Sequence, residues 1–259
     1  MPHPSSSPSS FGVLVLALLV AVGGMVYLGE RSGAGASEAP ATARSEEAGV
    51  STVGAAPWSG EIVLDPSQCR DAGYLCSGLA EREEPRILRW NEDAQVIRIG
   101  LPLPEGVSPA RGRELQAAAA AGILTWQGKP FRIEIDRTPR GSEIDFRVRW
   151  APLLEGAQLG RADTRWFRGT DGRTGMQVSD FVLVHRDPFD ERRPLDPRKV
   201  ELAAAHEMGH ALGLPHSDSD RDVMYPTNTA RSLSVRDYTT MAALYSMENG
   251  ALLPPLSPP

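Results

Sequence analysis

Lysine is almost absent from this sequence, although its basic residues number 27. Lys129 and Lys199 are the only lysines, the other basic residues are arginines, and no lysine-rich block occurs. The formal net charge is −6 at pH 7. Domains that bind nucleic acid carry a concentrated basic patch, so we expect no nucleic-acid partner for this protein.

Long apolar runs are also scarce, and one stretch near the N-terminus is the exception. Residues 11–28 contain no charged side chain, and as a helix they would be about 27 Å long, close to the thickness of a bilayer core. Residues 1–28 are therefore either a cleaved signal peptide, which here lacks a basic start, or an uncleaved N-terminal membrane anchor. Both alternatives predict an exported protein, secreted or anchored to the cell envelope, and residues 11–28 would be its only membrane contact if they are not cleaved.

Cysteine is limited to Cys69 and Cys76. An even pair of cysteines in an exported protein predicts a disulfide, which here would close a small loop. The preceding residues, up to about residue 60, consist mainly of Gly, Ala, Ser, Pro and Glu, a composition that cannot bury a hydrophobic core. We therefore expect residues 29–84 to be a flexible linker, or a pro-segment, that contains the Cys69–Cys76 loop.

Histidine is rare as well, yet three of the five histidines fall in one short motif. Residues 206–216 read H-E-x-x-H-x-x-G-x-x-H, with histidine at positions 206, 210 and 216. His206 and His210 are four residues apart, so on a helix they lie on one face, one turn apart. Gly213 permits the left-handed conformation that ends a helix, so the chain can turn and bring His216 to the same metal ion. Three neutral imidazoles and one open position are typical of catalytic zinc.

Two further residues extend this pattern. Glu207 follows the first histidine, where its carboxylate can reach an attacking water without ligating the metal. Met224 lies eight residues after His216 and is followed by Tyr225 and Pro226, which favour a turn. The long histidine motif followed by a Met-turn resembles the signature of the metzincin zinc peptidases, and within that clan the sequence is most similar to the matrixins.

The resemblance implies a zinc-dependent endopeptidase with one zinc ion, a protein or peptide substrate, Glu207 as general base and Met224 as a hydrophobic floor beneath the metal. In matrixins an edge strand above the cleft pairs with the substrate, and the chain after the Met-turn forms the outer wall of the pocket beyond the cut bond. The corresponding residues here are Gly160, Arg161 and Ala162 in the edge strand, and Pro226, Thr227 and Asn228 in the wall. Calcium, which the family's loops bind, has no complete ligand set in this sequence, and we expect a monomer.

Two alternative functions remain open. The same zinc site would serve a hydrolase that cleaves a cell-wall peptide, and it would also serve a non-catalytic zinc-binding surface module. Glu207 argues against the second alternative, because a binding module needs no general base beside its metal.

Matrixin pro-segments cap the zinc with a cysteine in the motif P-R-C-G-x-P-D, and the residues around Cys69 and Cys76 depart from that motif at nearly every position.

Apolar periodicity and helix caps predict the fold. Polar caps before helices occur at Ser108 and Asp196, each followed by proline, and at Ser234. Alternation of apolar residues predicts strands at residues 96–99, 131–135 and 144–150, and the resemblance to the matrixins implies two more, an edge strand at 159–167 and the strand after it at 178–185. The order of elements is that of a matrixin catalytic domain. We expect an α+β fold in residues 85–249, with a twisted mixed sheet and three helices that include the zinc-binding one, followed by a proline-rich tail at 250–259.

Overall fold

The computed structural model describes residues 62–254, apart from residues 83, 92, 93, 95, 129, 140–142, 170, 171 and 228. The expected signal peptide or anchor at residues 1–28 lies outside the described residues, as do the first half of the expected linker and the end of the tail. Within the described residues, no helix has the length and apolar character needed to cross a membrane.

A five-stranded mixed sheet forms the centre of the fold. Its strands are β1 (Val96–Gly100), β2 (Arg132–Asp136), β3 (Phe146–Ala151), β4 (Gly160–Arg168) and β5 (Thr174–Val184). Their spatial order is β2-β1-β3-β5-β4, and β4 runs antiparallel to β5 whereas the other neighbours are parallel. Strand β4 is therefore an edge strand. A small second sheet pairs β6 (Arg186–Asp187) with β7 (Asp190–Pro194).

The three expected helices are α2 (Pro109–Leu124), α3 (Pro197–Ala211) and α4 (Val235–Ser246). Each begins at its predicted cap, because the side chains of Ser108, Asp196 and Ser234 all accept a hydrogen bond from a backbone N–H in the first turn. The α+β fold with a mixed sheet is thus confirmed. A short helix α1 (Leu75–Ala80) and two 3-10 helices, Pro66–Cys69 and Glu155–Ala157, complete the described elements.

Helices α2 and α3 pack closely because Gly122 faces the backbone of α3. A side chain at position 122 would collide with the carbonyl oxygen of Glu201. Just beyond α2, the fully buried Trp126 donates its indole N–H to the carbonyl oxygen of Ala205 at 2.8 Å. These contacts hold α3 at the level where the histidine motif begins.

The packed part of the chain starts well before Pro85, where the sequence pattern suggested that the folded domain begins. A disulfide joins Cys69 to Cys76, and Tyr74, Leu75 and Leu79 are fully buried in the main core. The sequence did not reveal this packing, because the expected linker was extended to residue 84. The composition that favours a linker ends shortly before residue 62.

The same segment is tied to the C-terminal end of the described chain. The backbone N–H of Leu64 donates to the carbonyl oxygen of Leu252 at 2.9 Å, and that of Ile87 donates to Ala251 at 2.8 Å. Ala251 and Leu253 are buried, although both lie within the residues expected to be a tail. Both ends of the described chain therefore contribute to one core.

The double substitution Cys69→Ser with Cys76→Ser should lower the free energy of unfolding by about 2.5 kcal/mol, because the unfolded chain regains the freedom that a short covalent loop removes. Urea unfolding of the oxidised wild type and of the variant measures this difference. Reduced wild type provides the control and should match the variant. An unchanged free energy of unfolding would contradict the expectation.

Candidate metal centre

The end of helix α3 is shaped to return the chain towards the histidines. Gly213 adopts a φ of 103°, and a side chain at this position would collide with the carbonyl oxygen of Leu88. The Gly213 N–H donates to the carbonyl of His210 at 2.9 Å, and the Leu214 N–H donates to that of Gly209 at 3.0 Å. This pair of bonds is a Schellman motif. It reverses the chain so that residue 216 lies near residues 206 and 210.

The three histidines of the motif converge through the same ring atom. The Nε2 atoms of His206 and His210 are 3.1 Å apart, and those of His210 and His216 are 3.2 Å apart. Tetrahedral ligands at about 2.0–2.1 Å from a zinc ion would lie about 3.3 Å apart. The spacing of the three nitrogen atoms therefore matches that of zinc ligands.

Backbone carbonyl groups determine which nitrogen atom of two of these rings carries the proton. The Nδ1 atom of His206 lies 2.7 Å from the carbonyl oxygen of Val223, and that of His210 lies 3.0 Å from the carbonyl oxygen of Leu214. A carbonyl oxygen only accepts, so both Nδ1 atoms must donate, and both Nε2 atoms keep a free lone pair. Two such lone pairs 3.1 Å apart repel each other unless a cation lies between them.

The electrostatics of the cluster also fit a cation. Burial lowers the pKa of His206 to about 4, and burial, followed by the neighbouring His206 and His216, holds the pKa of His210 well below its usual range. The imidazoles are thus neutral, as zinc ligands must be. Among the residues that the structure describes, His206, His210 and His216 are the one group of three His, Cys, Asp or Glu side chains close enough to hold a metal ion.

The side chain of Glu207 contacts strand β4. Its side chain is buried, and burial raises its pKa to about 8, whereas a hydrogen bond from the Ala162 backbone N–H acts in the opposite direction. Gly160 allows this approach, because a Cβ there would lie 2.6 Å from the Cγ of Glu207. The edge strand and the glutamate are therefore in direct contact.

Met224 lies fully buried beneath helix α3. Its Sδ occupies the space that a side chain on Gly209 would need, so the glycine inside the histidine motif is required by packing. The carbonyl oxygen of Met224 accepts a hydrogen bond from the Ser217 N–H at 2.9 Å. This bond links the methionine turn to the segment that carries His216.

The sequence did not identify Asp237 as part of the site. It is fully buried, and its Oδ2 accepts from the backbone N–H groups of Val223 at 3.0 Å and Ser234 at 2.8 Å. In the sequence it looks only like the last residue of a capping box, S-x-x-D, at the start of α4. Its second role, holding the residue whose carbonyl group binds His206, depends on the fold.

The remaining predicted site residues fall in two segments, the start of strand β4 and the chain after the methionine turn. Arg161 is exposed and pairs with Asp180 at 3.0 Å, and Gly160 and Ala162 are half-buried. Pro226 and Thr227 are exposed after the methionine turn, and Asn228 lies outside the described residues. Two aspartates that follow His216 are engaged by an arginine, since Asp218 and Asp222 both form ion pairs with Arg236.

Comparisons with known proteins agree with this geometry. The family model described as Matrixin matches residues 155–246. The chain is 44% identical over 66 residues to macrophage metalloelastase of Rattus norvegicus, which covers 22% of this chain and 14% of the relative. It is 30% identical over 192 residues to stromelysin-3 of Rattus norvegicus, which covers 62% of this chain and 38% of the relative. The chain thus spans less than half the length of these curated relatives.

Zinc should stabilise the wild-type protein by about 2.7 kcal/mol when free zinc is 100 times its dissociation constant. The variant His210→Ala should lose most of this effect, because it removes the nitrogen atom that lies between the other two. Thermal unfolding with zinc and with a chelator measures the difference.

His185→Ala is the matched control, since His185 is a buried histidine outside the cluster. This variant should retain the full stabilisation by zinc. If stabilisation by zinc persisted in His210→Ala and disappeared in His185→Ala, the metal site would not lie at the three histidines of the motif.

Proposed function

We propose that this protein is a zinc-dependent endopeptidase that hydrolyses peptide bonds in protein or peptide substrates, and the match of residues 155–246 to the family model described as Matrixin supports this proposal. The observation that carries the proposal is the buried glutamate beside a cluster of three neutral histidines. His206, His210 and His216 supply the three nitrogen ligands. Glu207 then remains free to handle a proton.

Zinc held by these histidines would act as a Lewis acid and would lower the pKa of an attacking water towards about 7. Glu207 is the general base: it accepts the proton of that water and afterwards returns it to the leaving amine. Burial raises the pKa of its carboxyl group to about 8, so the group can both take up and release a proton near neutral pH. A cation in front of the carboxylate acts in the opposite direction and favours the ionised form that accepts the proton.

We propose that strand β4 binds the substrate backbone. In the described residues β4 pairs with β5 on one side only, and its N-terminal end contacts Glu207 through Gly160 and Ala162. An extended peptide added to the free edge would gain backbone hydrogen bonds without strong side-chain selection. Arg161 is exposed in the same stretch and is the third member of this subsite.

On the other side of the centre, the chain after the methionine turn would form the wall of the pocket beyond the cut bond. Pro226 and Thr227 are exposed there, and Asn228 completes the proposed wall. Met224, which is fully buried under Gly209, serves as the floor beneath the metal. These assignments rest on the resemblance to the matrixins together with the positions of Met224, Pro226 and Thr227.

We also propose that the protein is exported and acts as a monomer. Both cysteines are joined in a disulfide, and such bonds persist in oxidising compartments outside the cytosol. Residues 11–28 would direct export as a signal peptide or would remain as an anchor.

Glu207→Gln should lower the rate of peptide hydrolysis by about 10²–10⁴-fold, because the amide cannot act as a general base. Zinc content should stay the same, because the carboxylate is not one of the three ligands. The full chain is incubated with a broad peptide library that includes cell-wall peptides. Mass spectrometry of the products gives the rate and the cleavage preference together.

Glu201→Gln is the control for this experiment, since Glu201 lies on the same helix and pairs with Arg198 at 2.5 Å. It should retain wild-type rates. Cleavage of cell-wall peptides alone would favour the alternative hydrolase, and a zinc-bound wild type that cleaves nothing would favour a non-catalytic module.

Gly160→Ala should lower kcat by about tenfold to a hundredfold, because the added methyl group displaces the general base. The zinc dissociation constant should not change. Gly112→Ala in helix α2 is the control, since a Cβ there would meet its nearest neighbour at 3.7 Å, an ordinary contact. Equal kcat values for the two variants would contradict the proposed role of the contact between β4 and Glu207.

A further inference from the structure

The segment closed by the Cys69–Cys76 disulfide contacts the residues that support the metal centre through the phenol group of Tyr74. Tyr74 is fully buried and lies between Cys69 and Cys76, whose disulfide closes the loop around it. Its hydroxyl group donates to Oδ1 of Asp237 at 2.8 Å, and its backbone N–H donates to Oγ1 of Thr240 at 3.2 Å. The loop is therefore attached to helix α4 by two hydrogen bonds from a single residue.

The preceding residue makes this attachment tight. Gly73 has a φ of 63°, and a side chain there would collide with Oγ1 of Thr240. The guanidinium group of Arg236 lies 5.3 Å from the centre of the Tyr74 ring, within the range of a cation–π contact. The phenol is thus held from the backbone side and from the ring face, so its hydroxyl group has a fixed direction.

Asp237 connects Tyr74 to the methionine turn. Its Oδ1 accepts from Tyr74, and its Oδ2 accepts from the backbone N–H of Val223. The carbonyl oxygen of the same Val223 accepts from Nδ1 of His206 at 2.7 Å. A continuous path of three hydrogen bonds therefore runs from the disulfide loop to the first histidine of the cluster.

We propose that Tyr74 is a positioning residue for the metal centre, and that residues 64–80 are a permanent part of that centre. The proposal rests on the proposed zinc site, and it concerns how His206 is held. Without the phenol, the buried carboxylate of Asp237 has one donor fewer and can rotate away from Val223. The Val223 carbonyl then fixes the ring of His206 less well, and the Nε2 atom is presented to the metal less accurately.

A purely structural role for Tyr74 would give a different result. In that case the loss of its hydroxyl group would lower the stability of the fold. The zinc affinity would then change no more than in any other variant that is destabilised to the same extent. Tyr245 provides the comparison. It is another packed tyrosine whose hydroxyl group donates to a backbone carbonyl, that of Leu212 at 3.0 Å, and it has no bond to Asp237 or Val223 in the described residues.

Tyr74→Phe in the full chain should weaken zinc binding by about threefold to tenfold, less than the 10–100-fold typical of groups that touch a metal ligand directly. Tyr245→Phe should bind zinc as the wild type does. Zinc dissociation constants are measured by competition with a chelator. The visible absorption of the Co²⁺-loaded proteins should change in Tyr74→Phe and stay the same in Tyr245→Phe, because it reports the ligand arrangement.

Asp237→Asn adds a second test, because the two substitutions act on one path. The double variant Tyr74→Phe with Asp237→Asn should bind zinc no more weakly than Asp237→Asn alone, so that the effects are not additive. If Asp237→Asn does not fold, the comparison of Tyr74→Phe with Tyr245→Phe still decides the question.

The results separate this inference from the proposed function. Equal zinc affinity and equal Co²⁺ spectra for Tyr74→Phe and Tyr245→Phe would overturn the inference, whatever the peptidase activity. A weaker site in Tyr74→Phe together with a wild type that hydrolyses no peptide would support the inference and overturn the endopeptidase proposal. A wild type that binds no zinc would overturn both.

Discussion

Two backbone carbonyl groups decide how the histidine cluster can be used. The carbonyl oxygens of Val223 and Leu214 hold the protons of His206 and His210 on Nδ1, so both Nε2 lone pairs point at one place. Each carbonyl group is in turn held by another element. Leu214 is held by the turn that Gly213 permits at the end of α3, and Val223 is held by Asp237. The chemistry of the site therefore depends on where two peptide groups lie.

Much of this arrangement is visible in the sequence because it is local. The spacing of His206 and His210, the glycine at 213 and the caps at Ser108, Asp196 and Ser234 all act over a few residues. The first three strands follow from apolar alternation in the same way, whereas the edge strand and its place beside the site followed from the resemblance to the matrixins. Local patterns thus predicted the fold class and the three candidate ligands.

The parts that the sequence did not reveal depend on residues far apart in the chain. Tyr74 and Asp237 are 163 positions apart, and neither has a neighbour in sequence that indicates the other. Gly160 and Gly209 look like ordinary glycines until the fold brings Glu207 and Met224 against them. The burial of Leu64 and Tyr74 was missed for the same reason, because their hydrogen-bond partners, Leu252 and Asp237, lie near the other end of the described chain.

The contacts between the two ends of the described chain affect the order in which the protein folds during synthesis. Leu64 bonds to Leu252 and Tyr74 bonds to Asp237, so the residues synthesised first in the packed region pair with those synthesised last. Contacts of such long sequence separation form slowly, and chains emerge N-terminus first. A nascent chain therefore carries the complete histidine motif before Asp237 exists to hold Val223. The metal centre gains its full support only after residue 237 has been synthesised and has folded against the methionine turn.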